Sequence, residues 1–374
     1  MHSGSRLATV ASVHSVQSNI LAIVILCLGR CGLSKCISRY LVAMTVADLM
    51  AVITTVIFVR IVYRDFPNSF VTITHVCRLI SFLDCTTRAM SVWLTVAFTF
   101  DRYVAICCPK LKTKYCTEKT ALRVIAVLAL IFFVENIPWY FSYVPQYTVN
   151  DIPRGCQHKS SYHTSLSWIV FDWLHVILTP FLPFVLILLL NAQTVSHILE
   201  SSRARRRLRG HSDGDRNRGG SDSDPEMRKR KKSIILLFAV SANFILLWIT
   251  FVLFFLYWRF SKKYYYTGYS DPSFIIWRVA FMLVYLSCCT NTYIYAVTQT
   301  KFRVEIRKAV TFPFILITWG LSAYSSSHFP PQIKQWFRRF PDSLSNDSPS
   351  TTGKLINSFI LCFNYLVKYK HINE

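Results

Sequence analysis

Long apolar stretches separated by short polar segments run through the chain as far as Val297. A helix that crosses the ~30 Å hydrocarbon core of a bilayer needs about 20 apolar residues. Six stretches meet this requirement: Tyr40–Val62, Val76–Ile106, Ala121–Tyr143, Leu166–Ile198, Ser233–Tyr257 and Ile275–Val297. A seventh, Leu7–Leu28, is interrupted by His14, Gln17 and Asn19, and only Ile20–Leu28 is continuously apolar. Counting it as a span gives a consistent charge pattern, so we predict seven membrane-spanning helices.

Basic residues concentrate on alternate connections between these spans. They follow the first span, separate the third from the fourth, fill the long connection 201–232 and follow the seventh span. The intervening connections carry fewer Lys and Arg. Because cytoplasmic loops carry an excess of positive charge, we predict that the N-terminus is outside and the C-terminus cytoplasmic. The chain is thus predicted to comprise a seven-transmembrane domain, residues 1–308, and a cytoplasmic tail, residues 309–374.

The tail contains two apolar pieces, Ala309–Tyr324 and Leu355–Val367, that are too short or broken to be spans. Two interpretations stay open for them. They lie on the membrane surface as interfacial segments, or they are sequence that does not belong to the working protein.

Composition separates this chain from soluble proteins. It is 52% hydrophobic and only 16% charged, yet its net charge is +23. An apolar but basic chain fits a multi-pass membrane protein better than a soluble enzyme. The fingerprints of hydrolases, nucleotide-binding enzymes and zinc proteases are absent from the sequence, so we expect no enzyme activity. Nucleic-acid binding would suit the charge, but seven apolar spans exclude it.

Several short motifs occupy fixed places on these spans. Asp101, Arg102 and Tyr103 end the third span, and Cys77 stands at its opposite end, about 37 Å away at the helical rise per residue. Cys156 falls in a connection on the same side as Cys77, in an oxidising compartment where the two can pair. The remaining motif residues are Phe244 and Trp248 in the sixth span and Asn291 to Tyr295 in the seventh.

The order and depth of these motifs resemble the rhodopsin-like (class A) G-protein-coupled receptors over residues 19–308. The matching residues are Asn19, Leu41, Asp48, Leu49, Cys77, Ser91, Trp93, Asp101, Arg102, Tyr103, Pro183, Trp248 and Asn291–Tyr295. The resemblance implies an all-α membrane protein, a seven-transmembrane helix bundle with a short amphipathic eighth helix opened by Phe302. It further implies a plasma-membrane location and coupling to a heterotrimeric G protein, with arrestin and receptor kinases as additional partners.

The resemblance also implies that activation involves seven residues, namely Asp101, Arg102, Tyr103, Phe244, Trp248, Asn291 and Tyr295. More narrowly, Ser91–Phe98 and the seventh span resemble a small orphan-type branch linked to aromatic amino acids and peptides. The expected ligand is therefore an extracellular small molecule or peptide.

The chain departs from the family at three informative positions. Thr250 and Thr292 stand where the sixth and seventh spans usually carry a helix-kinking proline. Arg230 replaces the acidic residue that often pairs with Arg102. We therefore expect Arg102 to pair only with Asp101, which would leave the inactive state less restrained.

Ionisable residues within spans need a partner or a wet cavity. Asp48, Ser91, Ser287 and Asn291 resemble the sodium pocket of the family, and a hydrated polar network without a metal is the alternative. No other cofactor is expected.

Asp84 and Arg88 lie one helical turn apart on the third span. Either they neutralise each other, or they form a clamp in which Asp84 binds a ligand ammonium and Arg88 its carboxylate. The aromatic residues Phe251, Phe281 and Tyr285 lie above Trp248 and could pack an aromatic side chain, although such residues also form ordinary core. His175 and Asp172 are further candidates for the ligand site.

Three functions remain from the sequence. The first is a receptor that transmits binding of an outside ligand to G proteins. The second is a receptor-like protein that does not signal, which Thr250, Thr292 and the interrupted first span would favour. The third is a transporter, which predicts internal repeats or paired broken helices that the sequence does not show.

Overall fold

The structure is a computed structural model that describes residues 2–29, 31–62, 66, 68–210, 225–261, 271–309 and 311. The chain divides into two compact units, residues 1–308 and 309–374. Almost all of the second unit lies outside the described residues, and so does the middle of the basic connection 201–232. The predictions made for the tail and for that connection therefore stay predictions, as does the replacement by Arg230, whose side chain is not described.

Seven long helices, which we number α1 to α7, follow one another within the described ranges. They are α1 (His2–Cys27), α2 (Lys35–Ala51), α3 (Thr74–Cys107), α4 (Glu118–Phe141), α5 (Leu166–Val176, Ile177–Phe181 and Leu182–Gly210), α6 (Pro225–Ser261) and α7 (Pro272–Thr298). Six of them, α2 to α7, are long and apolar enough to cross a membrane. In α1 the apolar part of the helix is Val13–Cys27, which is shorter than a full span.

Two helices change their winding within the bundle. α2 continues from Ala51 into a π-helical segment, Val52–Val62, and the π-helical turn Ile177–Phe181 lies inside α5. Pro180 lies in that turn and has no N–H to donate, so a regular helical hydrogen bond is missing there. Gln299 caps the C-terminal end of α7, which ends at Thr298, and residues 300–309 form a further helical segment. That these residues form an amphipathic helix on the membrane stays a prediction.

Buried side chains concentrate where α1, α2, α3 and α7 meet. Tyr40, Leu41, Leu94, Phe98 and Tyr295 are fully buried in this cluster. The outer surface of the bundle, which faces away from this core, is apolar as well. On α4 the large side chains at positions 127, 130, 131, 133 and 134 are at least half exposed. An apolar outer face of this size would be costly in water and suits contact with lipid.

A short β-hairpin connects α4 to α5. Its inner pair is β2 (Tyr147–Val149) with β3 (Ile152–Arg154), and its outer pair is β1 (Tyr143–Val144) with β4 (Gln157–His158), both antiparallel. Asn150 and Asp151 form the turn with φ of 49° and 58°. Positive φ at both central residues is the geometry of a type I′ turn, whose twist matches that of the strands.

The hairpin is fixed to the beginning of α3 by covalent and polar contacts. Cys77 and Cys156 form the predicted disulfide, which confirms that pairing. The Nη1 of Arg154 donates to the Thr72 hydroxyl at 2.7 Å, and the Gly155 amide donates to the Thr72 carbonyl at 2.7 Å. We call this end of the bundle the disulfide end and the opposite end the Arg102 end.

Gly155 provides a test of this fixation. Its φ is +75°, and a Cβ would lie 2.7 Å from the Cβ of Gln146. Gly155→Ala therefore adds steric overlap to the cost of left-handed backbone, and we expect it to lower the free energy of unfolding by about 2 kcal/mol or more. Thermal unfolding of purified protein measures the loss.

Gly29→Ala is the matched control, because Gly29 has a φ of +67° with nothing within 4 Å of its Cβ position. It should lose only the backbone contribution, about 1 kcal/mol. Equal losses in the two variants would contradict close packing of the hairpin.

Candidate functional site

The Arg102 end is organised around one buried carboxylate. Asp101 is fully buried and pairs with Arg102, whose Nε lies 3.0 Å from the Asp101 Oδ2. The Cys36 thiol of α2 donates to the other carboxylate oxygen at 3.1 Å, and the Cys116 thiol donates to the Asp101 carbonyl at 3.5 Å. Burial and the nearby Asp101 raise the pKa of the Cys116 thiol to about 12, so it remains a protonated donor.

Arg102 also reaches α6, which the sequence did not lead us to expect. Its Nη1 donates to the Ser233 hydroxyl at 3.2 Å. Among the described residues the ion pair of Arg102 is with Asp101, as expected, and the neutral Ser233 hydroxyl adds a hydrogen-bonded link to α6. Tyr103 is half-buried, and its ring centroid lies 6.4 Å from that of Phe100.

Asp48 forms the polar centre of the bundle and is fully buried. Ser91 of α3 donates to its Oδ1 at 2.6 Å, and Asn291 of α7 donates from Nδ2 to its Oδ2 at 2.7 Å. Ser287 is buried one turn before Asn291, but no bond from its side chain to Asp48 appears in the described part of the structure. Three of the four residues predicted for a sodium pocket are thus directly bonded.

Asn19 of α1 is bonded to α7 at Thr292, the residue that stands where the family usually has proline. The Thr292 hydroxyl donates to the Asn19 Oδ1 at 3.1 Å, and the Asn19 Nδ2 donates to the Cys288 carbonyl at 3.3 Å. Both side chains are buried. Thr292 therefore serves as a contact between helices, and α7 is one continuous α-helix through this point. At the end of α7 the buried Tyr295 packs against Phe302 with ring centroids 6.1 Å apart.

A chain of aromatic rings rises from the bundle core towards the disulfide end. Phe244 packs on Trp248 at 5.4 Å between ring centroids, Trp248 on Phe251 at 5.9 Å, and Phe251 on Phe281 at 5.1 Å. Tyr285 continues it at 6.2 Å from Phe281. This row of aromatic rings connects α6 to α7, and several of the rings also border a cavity.

This cavity, of about 330 Å³, lies among α3 to α7 and the β-hairpin. Its lining is largely aromatic, and its polar members include an arginine, two histidines and an aspartate. The lining includes Arg88, Trp139, Asp172, His175, Thr179, Trp248, Phe251 and Phe281. A cavity of this volume accommodates a small ligand or one side chain of a larger one.

Asp84 and Arg88 form a partly buried ion pair, with the Arg88 Nη2 2.9 Å from the Asp84 Oδ2. Asp84 also accepts a hydrogen bond from Thr55 and is not among the residues that line this cavity. The guanidinium of Arg88 does line it, 5.7 Å from the ring centroid of Phe281. The pair therefore presents its cationic member to the cavity and keeps its carboxylate behind. Tyr285, also predicted for the ligand site, lies outside the cavity lining.

A second pair of this kind, between two apolar spans, was not predicted from the sequence. Glu135 of α4 lies 3.1 Å from the Nδ1 of His175 on α5, and both side chains are more than four-fifths buried. An acidic residue in the middle of an apolar span was a signal that could have found Glu135, because such a residue needs a partner. Which histidine supplies it depends on packing that no local pattern records.

The sequence comparison fits this arrangement of helices, motifs and cavity. The profile of the family described as 7 transmembrane receptor (rhodopsin family) matches residues 18–295. The chain belongs to the rhodopsin family of seven-transmembrane receptors. Membership establishes seven membrane-spanning helices, so α1 counts as a span despite its short apolar part. It confirms the predicted receptor fold and excludes the enzyme and transporter classes.

The relatives of this receptor are distant. A mouse protein called probable G-protein coupled receptor 142 is 24% identical over 73% of this chain and 65% of its own length. The rat gastrin/cholecystokinin type B receptor is 29% identical over 48% of this chain and 39% of its own. The FMRFamide receptor of Drosophila melanogaster is 22% identical over 79% of this chain and 52% of its own. The receptor thus spans less than two thirds of the length of these relatives.

The Asn19–Thr292 contact of the receptor can be tested by Thr292→Val, which keeps the shape of the side chain and removes its hydroxyl. The buried Asn19 Oδ1 loses its donor, and we expect the free energy of unfolding to fall by about 1 kcal/mol. Thermal unfolding of the purified receptor provides the measurement. Thr298→Val is the control, because among the described residues that hydroxyl donates only to the Ile294 carbonyl of its own helix. Unchanged stability of Thr292→Val would show that the contact between α1 and α7 contributes nothing.

Proposed function

We propose that this receptor binds an extracellular ligand that carries an aromatic group and a carboxylate, and that it signals through heterotrimeric G proteins. The observation that carries the proposal is the cavity at the disulfide end, where the Arg88 guanidinium lies over Phe281 and shares the lining with Phe251 and Trp248. An arginine and aromatic faces together are suited to an aromatic amino acid or to a peptide with such a residue.

The proposed orientation places the N-terminus outside and the C-terminus in the cytoplasm, at the plasma membrane. Two observations support it. The Cys77–Cys156 disulfide lies at one end, and disulfides persist in oxidising compartments. Basic residues such as Lys110, Lys112 and Lys114 lie at the other end, as expected of the cytoplasmic side.

The polar contacts of the ligand would be divided between two helices. The Arg88 guanidinium is suited to the ligand carboxylate, because its planar donors match the geometry of carboxylate oxygens. Asp84 lies behind Arg88, so an ammonium group on the ligand would face Asp172 of α5 instead, with His175 beside it. The relatives named for gastrin, cholecystokinin and FMRFamide support a peptide ligand, and the cavity would then hold one aromatic residue of that peptide.

Signalling would follow from a shift between two arrangements of α6. A ligand that presses on Trp248 and Phe251 acts on the rings that continue to Phe244 on the same helix. Outward movement of α6 would break the bond between Ser233 and Arg102 and open a cleft for the G protein. The basic residues Lys301 to Lys308 would flank the bound partner, and arrestin and receptor kinases would use the same face.

A receptor-like protein that does not signal is the second candidate. It is favoured by Thr250 and Thr292, which replace two prolines usual in the family and leave α7 without an internal proline. A stiffer α6 or α7 would resist the movement that opens the cleft.

Calcium and cyclic-AMP responses in cells with confirmed surface expression test the proposal. Wild type, Arg88→Ala and Arg102→Ala are compared against a panel of aromatic amino acids and short peptides. Loss of the Arg88 contact should reduce ligand potency at least tenfold, whereas loss of Arg102 should abolish the response at unchanged ligand binding.

Arg278→Ala is the control, because Arg278 packs over Phe274 on the outside of α7 and does not line the cavity. It should respond as the wild type does. A surface-expressed wild type that is silent to the whole panel, with basal signalling unchanged by Arg102→Ala, would favour the non-signalling candidate.

We further propose that Asp48, Ser91, Ser287 and Asn291 bind a sodium ion. A buried carboxylate with hydroxyl and amide oxygens is a donor set for a hard cation. In support, the Asp48 carboxylate is fully buried without a basic partner among the described residues, so a cation would neutralise it. Bound there, sodium would add positive charge between α2, α3 and α7 and hold them together.

Sodium binding predicts ion-specific stability. Thermal unfolding of wild type in sodium chloride, compared with N-methylglucamine chloride at equal ionic strength, should show about 1 kcal/mol of added stability. Asp48→Asn should abolish the difference, since a neutral amide no longer attracts the cation. A wild type that is equally stable in both salts would exclude the sodium site and favour the hydrated polar network.

A further inference from the structure

Two buried polar side chains line the cavity without a hydrogen-bond partner. The indole Nε1 of Trp139 on α4 and the hydroxyl of Thr179 on α5 make no hydrogen bond within the described part of the structure. Trp139 is 9% exposed and Thr179 is 7% exposed, and neither polar atom is open to solvent. Both residues belong to the lining of the same cavity.

Such orphaned groups are rare in folded proteins, because leaving a buried donor unpaired costs as much as a lost hydrogen bond. The aromatic surroundings explain why Trp139 has no alternative partner. Its ring is packed by His175 at 5.3 Å, Phe171 at 5.5 Å and Tyr162 at 6.1 Å between ring centroids. His175 meets the indole as a packed ring, with an interplanar angle of 78°, and no hydrogen bond joins the two rings in the described part of the structure.

These atoms are chemically distinct from the Arg88 region. Arg88 belongs to α3, carries a full charge and packs against Phe281 of α7. Trp139 and Thr179 belong to α4 and α5 and are neutral. An indole N–H can only donate, whereas a threonine hydroxyl can donate or accept. Together they match an amide group, whose carbonyl accepts and whose N–H donates.

We propose that Trp139 and Thr179 form a second polar subsite that binds an amide group of the ligand, with the Trp139 N–H donating to its carbonyl oxygen. This inference rests on the proposed function and narrows its ligand class. The preferred ligand is an aromatic acid whose nitrogen is acylated, as in an N-acyl amino acid or a peptide, and not a free amino acid. Binding requires each side chain to turn its polar atom towards the cavity. This movement would be favoured because both atoms would gain the hydrogen-bond partner that they lack.

Two probes isolate the amide. N-Acetylphenylalanine carries the ring, the carboxylate and the amide, whereas 2-benzylpentanoate carries the same ring and carboxylate with an alkyl chain in place of the amide. Their affinities for the purified full-length receptor are measured by ligand-induced thermal stabilisation at up to millimolar concentration. This readout needs no G protein, so its outcome is separate from that of the cellular signalling experiment.

Trp139→Phe and Thr179→Val remove the polar atoms and keep the shape of each side chain. We expect wild type to prefer N-acetylphenylalanine, and each variant to lower the ratio of the two affinities by about tenfold. Trp168→Phe is the control, because Trp168 packs against Phe171 and Tyr162 but does not line the cavity. It should leave the ratio unchanged.

A ratio that stays the same in both variants would overturn the subsite and show that water alone meets these atoms. Failure of both probes to bind wild type would overturn the proposed ligand class, even if the cellular experiment found another ligand. The unliganded variants should unfold at the wild-type temperature or above, because each loses an unsatisfied buried group. A lower unfolding temperature in both would assign Trp139 and Thr179 a structural role and overturn the proposal.

Discussion

A bilayer offers no water to a buried polar group, so such a group is costly unless it finds a partner within the helix bundle. In this receptor several of those partners lie on α3. Along its length Arg88 pairs with Asp84, Ser91 donates to Asp48 of α2, and Arg102 donates to Ser233 of α6. The cavity, the polar centre and the Arg102 end are therefore positioned by one helix, and its neighbours are placed by bonds to it.

The link between α3 and α6 sets how firmly the resting arrangement is held. A hydrogen bond between an arginine and a neutral serine is weaker than the ion pair with an acidic residue that is common in the family. Arg102 keeps its charge neutralised by Asp101, and Asp101 is itself held by the Cys36 thiol of α2. The restraint on α6 is thus reduced but present, and a modest difference in ligand affinity between the two arrangements would be enough to move it.

The parts of the structure that could be predicted from the sequence are those that depend on local sequence patterns. Apolar length located the spans, the placement of Cys77 and Cys156 on one side of the membrane predicted their disulfide, and the resemblance to the family placed Ser91 and Asn291 near Asp48. The parts it did not predict depend on contacts between distant helices. Glu135 with His175, Asn19 with Thr292 and Arg102 with Ser233 each join residues far apart in the chain. No periodicity specifies such pairs, and the placement of Asp84 behind Arg88 follows from the same kind of packing.

The β-hairpin has a kinetic consequence for ligand exchange. It contributes Tyr143 and His158 to the cavity lining, and both the disulfide and Arg154 tie it to the beginning of α3. Fixed at two neighbouring points, the hairpin would resist the displacement that releases a bound ligand. Departure must then wait for slower rearrangement of the helices, so residence time, more than the rate of encounter, would distinguish good ligands from poor ones.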